Sequence, residues 1–186
     1  MLTLSNDEIA SLIRGEDLIR YPPLRKPTPE LESFYAGLVK EITRLTGSAE
    51  RTEWNHYGSG YASFIDAWFY LPDGRARGIL ASEHDHYGIY ALLSRQSCFY
   101  VVGQGEKTWR SDGGSSYLPG LDSVDSVEHA TLRPLERQID GFLSKSGLRR
   151  LHRADLEAMI GGEHDVPTIL SDAPFTQFDA LFFWED

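Results

Sequence analysis

The chain has 186 residues and carries 18 Lys and Arg against 28 Asp and Glu, a formal charge of −10. At 41% hydrophobic and 25% charged residues it has the balance of an ordinary globular domain, which excludes a disordered chain and fits one domain with its own core. The acidity argues against nucleic acid and against an anionic membrane as partners, because both reward Lys and Arg.

In chain order, Met1 to Ala10 reads MLTLSNDEIA and lacks the basic segment and apolar run of a secretory leader. No stretch approaches the roughly 18 apolar residues of a membrane span, so the expected compartment is the cytoplasm. Ser5-Asn6-Asp7-Glu8 matches a capping box, with Leu4 and Ile9 at staple positions and Gly15 as a stop, and predicts a first helix. A connector with four prolines, Tyr21 to Pro29, follows. Thr28-Pro29 then opens a second helix as cap and first helical residue. Leu31, Phe34, Tyr35, Leu38, Val39, Ile42 and Leu45 recur at helical spacing as one apolar stripe, ended by Gly47.

From Arg51 the apolar period shortens to two, which signals strands. Ala62 to Leu71, Arg77 to Ser82, Tyr87 to Leu93 and Ser97 to Val102 read as strands. Pro72 to Arg75 is a turn, and Gln104-Gly105-Glu106 is expected to turn the chain into a further piece, Lys107 to Arg110. Short connections favour an antiparallel meander, since parallel pairs need crossovers of a dozen residues or more. Ser111 to Ala130 is polar and reads as a long loop. Leu132, Leu135, Ile139, Phe142 and Leu143 predict a helix. Leu156, Met159 and Ile160 predict a shorter one ending at Gly161-Gly162, and Ala180 to Trp184 reads as a last strand tucked into the sheet. The expected architecture is a single α+β domain: N-terminal helices over 5–46, an antiparallel sheet over 51–110, an acidic loop over 111–130, and C-terminal helices with a last strand over 131–186.

Catalytic signatures are incomplete. In an extended Glu83-His84-Asp85-His86, His84 and His86 face the same way and can share a metal, but a catalytic zinc site needs a third ligand, for which His56, Glu128 and His129 are candidates. Gly103 to Thr108 puts Glu106 where a phosphate loop requires Gly, and the serine of His56 to Tyr61 lacks the flanking glycines of a nucleophile elbow. Cys98, the single cysteine, excludes an internal disulfide and sits in an apolar strand, where a thiol behaves as a small hydrophobe. No catalytic residue and no cofactor is assigned.

The acidic residues concentrate. Ser111 to Ala130 holds Asp112, Asp122, Asp125 and Glu128 without a Lys or Arg, and after Arg153 no base follows at all, while Glu163 and Asp165 do. Trp109 and Tyr117 border the first segment. A negative surface with an aromatic anchor suits capture of a basic protein partner, against the plainer reading of a solvated face.

A small acidic α+β chain without a leader, rich in aromatics and closing on Phe178 to Asp186 after Val166-Pro167, resembles bacterial immunity proteins that neutralise toxins of polymorphic or contact-dependent systems. The likeness is one of general character, so no family residue carries over. It implies a non-catalytic inhibitor that covers the active surface of a cognate toxin. The acidic and aromatic segments suit a basic toxin and make Trp109, Asp112, Tyr117, Asp122, Asp125, Glu128, Glu163 and Asp165 the expected contact residues. The alternatives from other classes are a small metal-dependent hydrolase using His84 and His86, and a secretion-associated chaperone or adaptor.

Overall fold

The computed structural model describes residues 2–26, 29–55, 58, 60–76, 85–110, 113–162 and 164–185. The first helix, α1 (Asn6–Ile13), starts as its sequence dictates: Ser5 Oγ accepts from the Glu8 N–H at 3.2 Å, and Glu8 Oε2 accepts from the Ser5 N–H at 2.8 Å. The second, α2 (Glu30–Thr46), buries Leu31, Tyr35, Leu38, Val39 and Ile42, and Gly47 ends it in the left-handed conformation. Leu45, the last member of the predicted stripe, is exposed.

Among the described residues, β1 (Ala49–Glu53), β3 (Phe64–Tyr70), β4 (Asp85–Ser94), β5 (Phe99–Arg110) and β6 (Gly113–Ser116) form an antiparallel sheet in the order β1-β3-β4-β5-β6. A short β7 (Arg149–Arg150) joins it parallel to the start of β5. The remaining strands, β2 (Tyr61–Ala62) and β8 (Trp184–Glu185), pair with each other in a separate ladder. The helices that follow β6 are α3 (Arg133–Lys145), α4 (Arg153–Leu156) and α5 (Gln177–Leu181). The fold is therefore α+β, with a mostly antiparallel sheet and helices packed on it.

The sheet is covered on both sides, which is why β3 and β4 read as nearly continuous apolar runs. One face carries Ile65, Ala67, Phe69, Ile89, Ala91, Leu93, Tyr100 and Val102 against α2 and α3. The opposite face carries Phe64, Trp68, Tyr90, Leu92, Phe99 and Val101 against α1, α5 and the N-terminal residues Leu2 and Leu4. No helix of the described residues is long and apolar enough to cross a membrane.

Four local expectations are corrected. The chain does not turn at Gln104 to Glu106, because β5 runs unbroken from Phe99 to Arg110; its glycines are there to admit rings lying flat on the strand. Ser111 to Ala130 is not all loop: it contains β6, hairpinned onto β5, and a 3-10 turn at Leu121–Ser123. The predicted helix at Leu156 to Ile160 stops at Leu156, and Met159 instead bridges to Thr176. Ala180 and Leu181 belong to α5, whose five residues are all buried. An apolar run this short does not distinguish a buried strand from a buried helical turn. The expected strand at Arg77 to Ser82 lies outside the described residues.

Candidate functional site

The alternation of β3, β4 and β5 places Asp66, Trp68 and Tyr70, then His86, Gly88 and Tyr90, then Gly103, Gly105 and Lys107 on one face. The three glycines are a consequence of the rings around them. A Cβ on Gly88 would come within 2.5 Å of Trp68, one on Gly103 within 2.4 Å of the Tyr90 hydroxyl, and one on Gly105 within 2.3 Å of the Tyr117 ring. Trp68 stacks on Tyr70 with centroids 5.1 Å apart and donates its indole N–H to the Gly105 carbonyl at 3.3 Å. Tyr90 stacks on Tyr117 at 5.2 Å, and its hydroxyl lies 2.8 Å from Ser123 Oγ. Burial pushes the Tyr90 hydroxyl well above its ordinary titration range.

Two charges lie beneath these rings. The Asp66 side chain is fully buried and accepts a hydrogen bond from the Tyr117 hydroxyl. Lys107 Nζ stands 3.4 Å from the other Asp66 oxygen, 5.5 Å from the Trp68 centroid and 5.3 Å from that of Tyr117. Tyr117 is thereby fixed by its hydroxyl, by its stacked face and by the glycine under it.

Tyr117 is also a wall of an open groove of about 370 Å³ at the edge of β5, whose lining includes Tyr87, Glu106, Asp122 and Glu128. The groove exists because the chain leaves the sheet edge after the Tyr117 N–H donates to the Glu106 carbonyl, and returns only where Asp125 and Val102, then Gln104 and Ser126, resume backbone bonding. Among the described residues neither Glu106 nor Glu128 pairs with a Lys or Arg.

Tertiary structure thus sorts the expected contact residues. Tyr117, Asp122 and Glu128 come together at the groove. Asp122 is almost wholly exposed and meets Arg153 at 2.8 Å, a contact worth little in water. Asp125 serves the fold instead. It adopts a positive φ of 62° and accepts from the Arg153 N–H at 2.9 Å and from Arg150 at 2.9 Å, with the His152 ring 3.2 Å away. Burial works to raise its carboxyl, but the Arg153 N–H and the Arg150 guanidinium outweigh burial and hold it below the ordinary carboxylate range. It ties the loop to β7 and α4. Asp165 is exposed on the connection between α4 and α5, away from the groove lining. Trp109 pairs with Gly114 across the hairpin, but its side chain, together with Asp112 and Glu163, lies outside what is described.

For the metal reading, His56 and His84 fall outside the described residues, so of the candidate ligands His86, His129 and the groove-lining Glu128 can be placed. His86 is 7% exposed, stands edge-on to Tyr70 at 4.9 Å and is the cross-strand partner of Lys107. His129 tilts over Tyr87 at 6.0 Å. Among the described residues no three His, Cys, Asp or Glu are gathered as a metal cluster. Cys98 is partly buried, and burial pushes its thiol up, away from the thiolate that reactive chemistry needs.

Sequence reading missed Asp66, Lys107, Glu106 and Tyr87. A signal for the first was present: Asp66 interrupts Phe64-Ile65-Asp66-Ala67-Trp68-Phe69, and a carboxylate at a core-facing strand position requires a buried partner. The identity of that partner, 41 residues away, was not legible. Comparisons with protein-family models, with curated proteins and with solved structures find no match.

Proposed function

We propose that the protein is a non-catalytic binding protein whose acidic, tyrosine-walled groove beside β5 docks a basic segment of a partner protein, which in the reading suggested by the immunity-protein resemblance is a cognate toxin. The carrying observation is that Glu106 and Glu128, without a basic partner among the described residues, line the same groove as a Tyr117 ring that is held in place from below. A rigid aromatic sharing a groove with unneutralised carboxylates suits the long stem and charged head of a lysine or arginine from another chain. The metal-dependent hydrolase gains no support from His86, whose ring is buried edge-on against Tyr70. Stoichiometric metal in the purified protein would revive that alternative.

The binding reading is tested by co-expression with the toxin domain of an adjacent reading frame. Wild type restores growth, and Glu106→Lys with Glu128→Lys slows association of the purified pair by about 10-fold or more at low salt. A neighbouring frame encoding only metabolic enzymes, or charge reversal that leaves association unchanged, overturns it.

A further inference from the structure

The buried pair below the groove is not explained by ion pairing alone. Withdrawing two charges from water is costly, and a separation of 3.4 Å between Lys107 Nζ and Asp66 Oδ2 is loose for a charge-assisted bond. The Lys107 side chain is only 10% exposed, so water does little to complete its shell. The faces of Trp68 and Tyr117, at 5.5 and 5.3 Å, complete it instead. One carboxylate and two aromatic faces are the means by which proteins hold ammonium ligands.

We propose that Asp66, Trp68 and Tyr117 form an ammonium socket that Lys107 fills from within the fold, and that filling it holds Tyr117 in the groove wall. The socket itself is independent of the binding reading; its consequence for partner capture rests on that reading. Tyr117 donates to one Asp66 oxygen while the ammonium, which also lies over the Tyr117 ring, stands at the other. With the cation gone, Asp66 loses its ammonium contact and the Tyr117 ring loses the charge over its face. Both losses loosen the ring.

The test uses the atoms that truncation removes. Lys107→Ala lacks what n-propylammonium supplies. That ion is expected to raise the melting temperature of Lys107→Ala by about 3–6 °C at ten times its dissociation constant, with no such effect on wild type. Sodium chloride at equal ionic strength and n-propanol are expected to fail, the first lacking the stem and the second the charge. Rescue by propanol as strong as by propylammonium, or no rescue by either, overturns the socket.

Should Lys107→Ala not fold, Lys107→Met keeps the stem and removes the charge. Its Tyr117 amide, which donates to Glu106, is then expected to exchange with solvent at least 10-fold faster, while the Asp125 amide, which donates to Val102 further along the same edge, keeps its protection. Equal exchange of the Tyr117 amide in variant and wild type also overturns the proposal. With a partner in hand, Lys107→Ala should dissociate faster than wild type and recover with propylammonium. Rescue of stability without any change in dissociation removes the link to the groove and leaves the socket. Failure of wild type itself to bind removes the binding reading instead.

Discussion

At residue scale the glycines of β4 and β5 decide how the aromatic face is built. They are not turn residues, and their substitution should differ according to what a methyl group meets. At Gly105 it meets the Tyr117 ring; at Gly103 the nearest atom is the Ser123 carbonyl at 2.2 Å, which is backbone and less able to move. Gly105→Ala should cost about 1–3 kcal/mol, and Gly103→Ala more, as read from denaturant midpoints. Because the Gly105 clash is with one ring, combining Gly105→Ala with Tyr117→Ala should cost less than the sum of the single changes, with a coupling of about 0.5–3 kcal/mol. Strict additivity would mean that the ring does not rest on Gly105.

Asp125 provides a second residue-scale expectation, concerning pH. Its folded carboxyl is held below its ordinary value of 3.8. The folded state therefore binds this proton less readily than the unfolded state does, so its contribution to stability is present above pH 3.8 and is lost as pH falls through the depressed folded value. As pH falls below about 4, urea midpoints should fall more steeply in wild type than in Asp125→Asn. Asn tolerates the positive φ of this position, so the variant isolates charge from backbone strain. Parallel acid limbs would assign the loss to other carboxylates.

At element scale the C-terminal segment is the instructive case. An apolar sequence from Phe178 to Trp184 divides into a helical turn and a two-residue strand because its start is specified by polar groups. Asp179 accepts from the Thr176 N–H at 2.6 Å and its hydroxyl at 2.8 Å, and from the Ser171 hydroxyl at 2.6 Å. Being 8% exposed, it has little water to replace those donors. Asp179→Ala should cost about 2 kcal/mol, the upper end for a lost cap, measured by thermal or urea unfolding. A loss below about 0.5 kcal/mol would mean that packing of Phe178 and Phe182 alone fixes the turn. Gln177 beside it accepts from the Leu4 N–H at 2.7 Å and donates to the Leu2 carbonyl at 3.2 Å, which joins the two ends of the chain.

At the scale of the whole molecule the charge of −10 separates into working parts. Arg150 absorbs much of it, with Asp125, Glu136 and Asp140 all within 3.1 Å of its guanidinium. Asp155 is committed to the Leu2 N–H and Asp179 to its cap. The carboxylates left to act outward at the groove are Glu106 and Glu128, with Asp122 shared with Arg153. If the groove is the contact surface, Asp165→Lys should change the rate of partner association by less than about 2-fold, against about 10-fold for the Glu106 and Glu128 reversals at low salt. Equal effects would indicate diffuse steering by net charge. Of the second acid-rich segment, Asp165 does not line the groove.

The sequence by itself determined what local physics can encode. The Ser5–Glu8 cap, the stripe from Leu31 to Ile42, the stop at Gly47, the helix around Leu135 to Leu143 and the antiparallel α+β class all follow from side-chain spacing and backbone preference within a few turns. Even the presence of an acidic, tyrosine-bearing segment was legible. Only the tertiary structure decided which acids are spent on folding and which remain at a groove. The partners concerned, Asp66 with Lys107 and Tyr117, or Asp125 with Arg150 and Arg153, lie 25 to 51 residues apart. Burial and counter-charge at that separation are set by strand register and chain return, and no local pattern carries them.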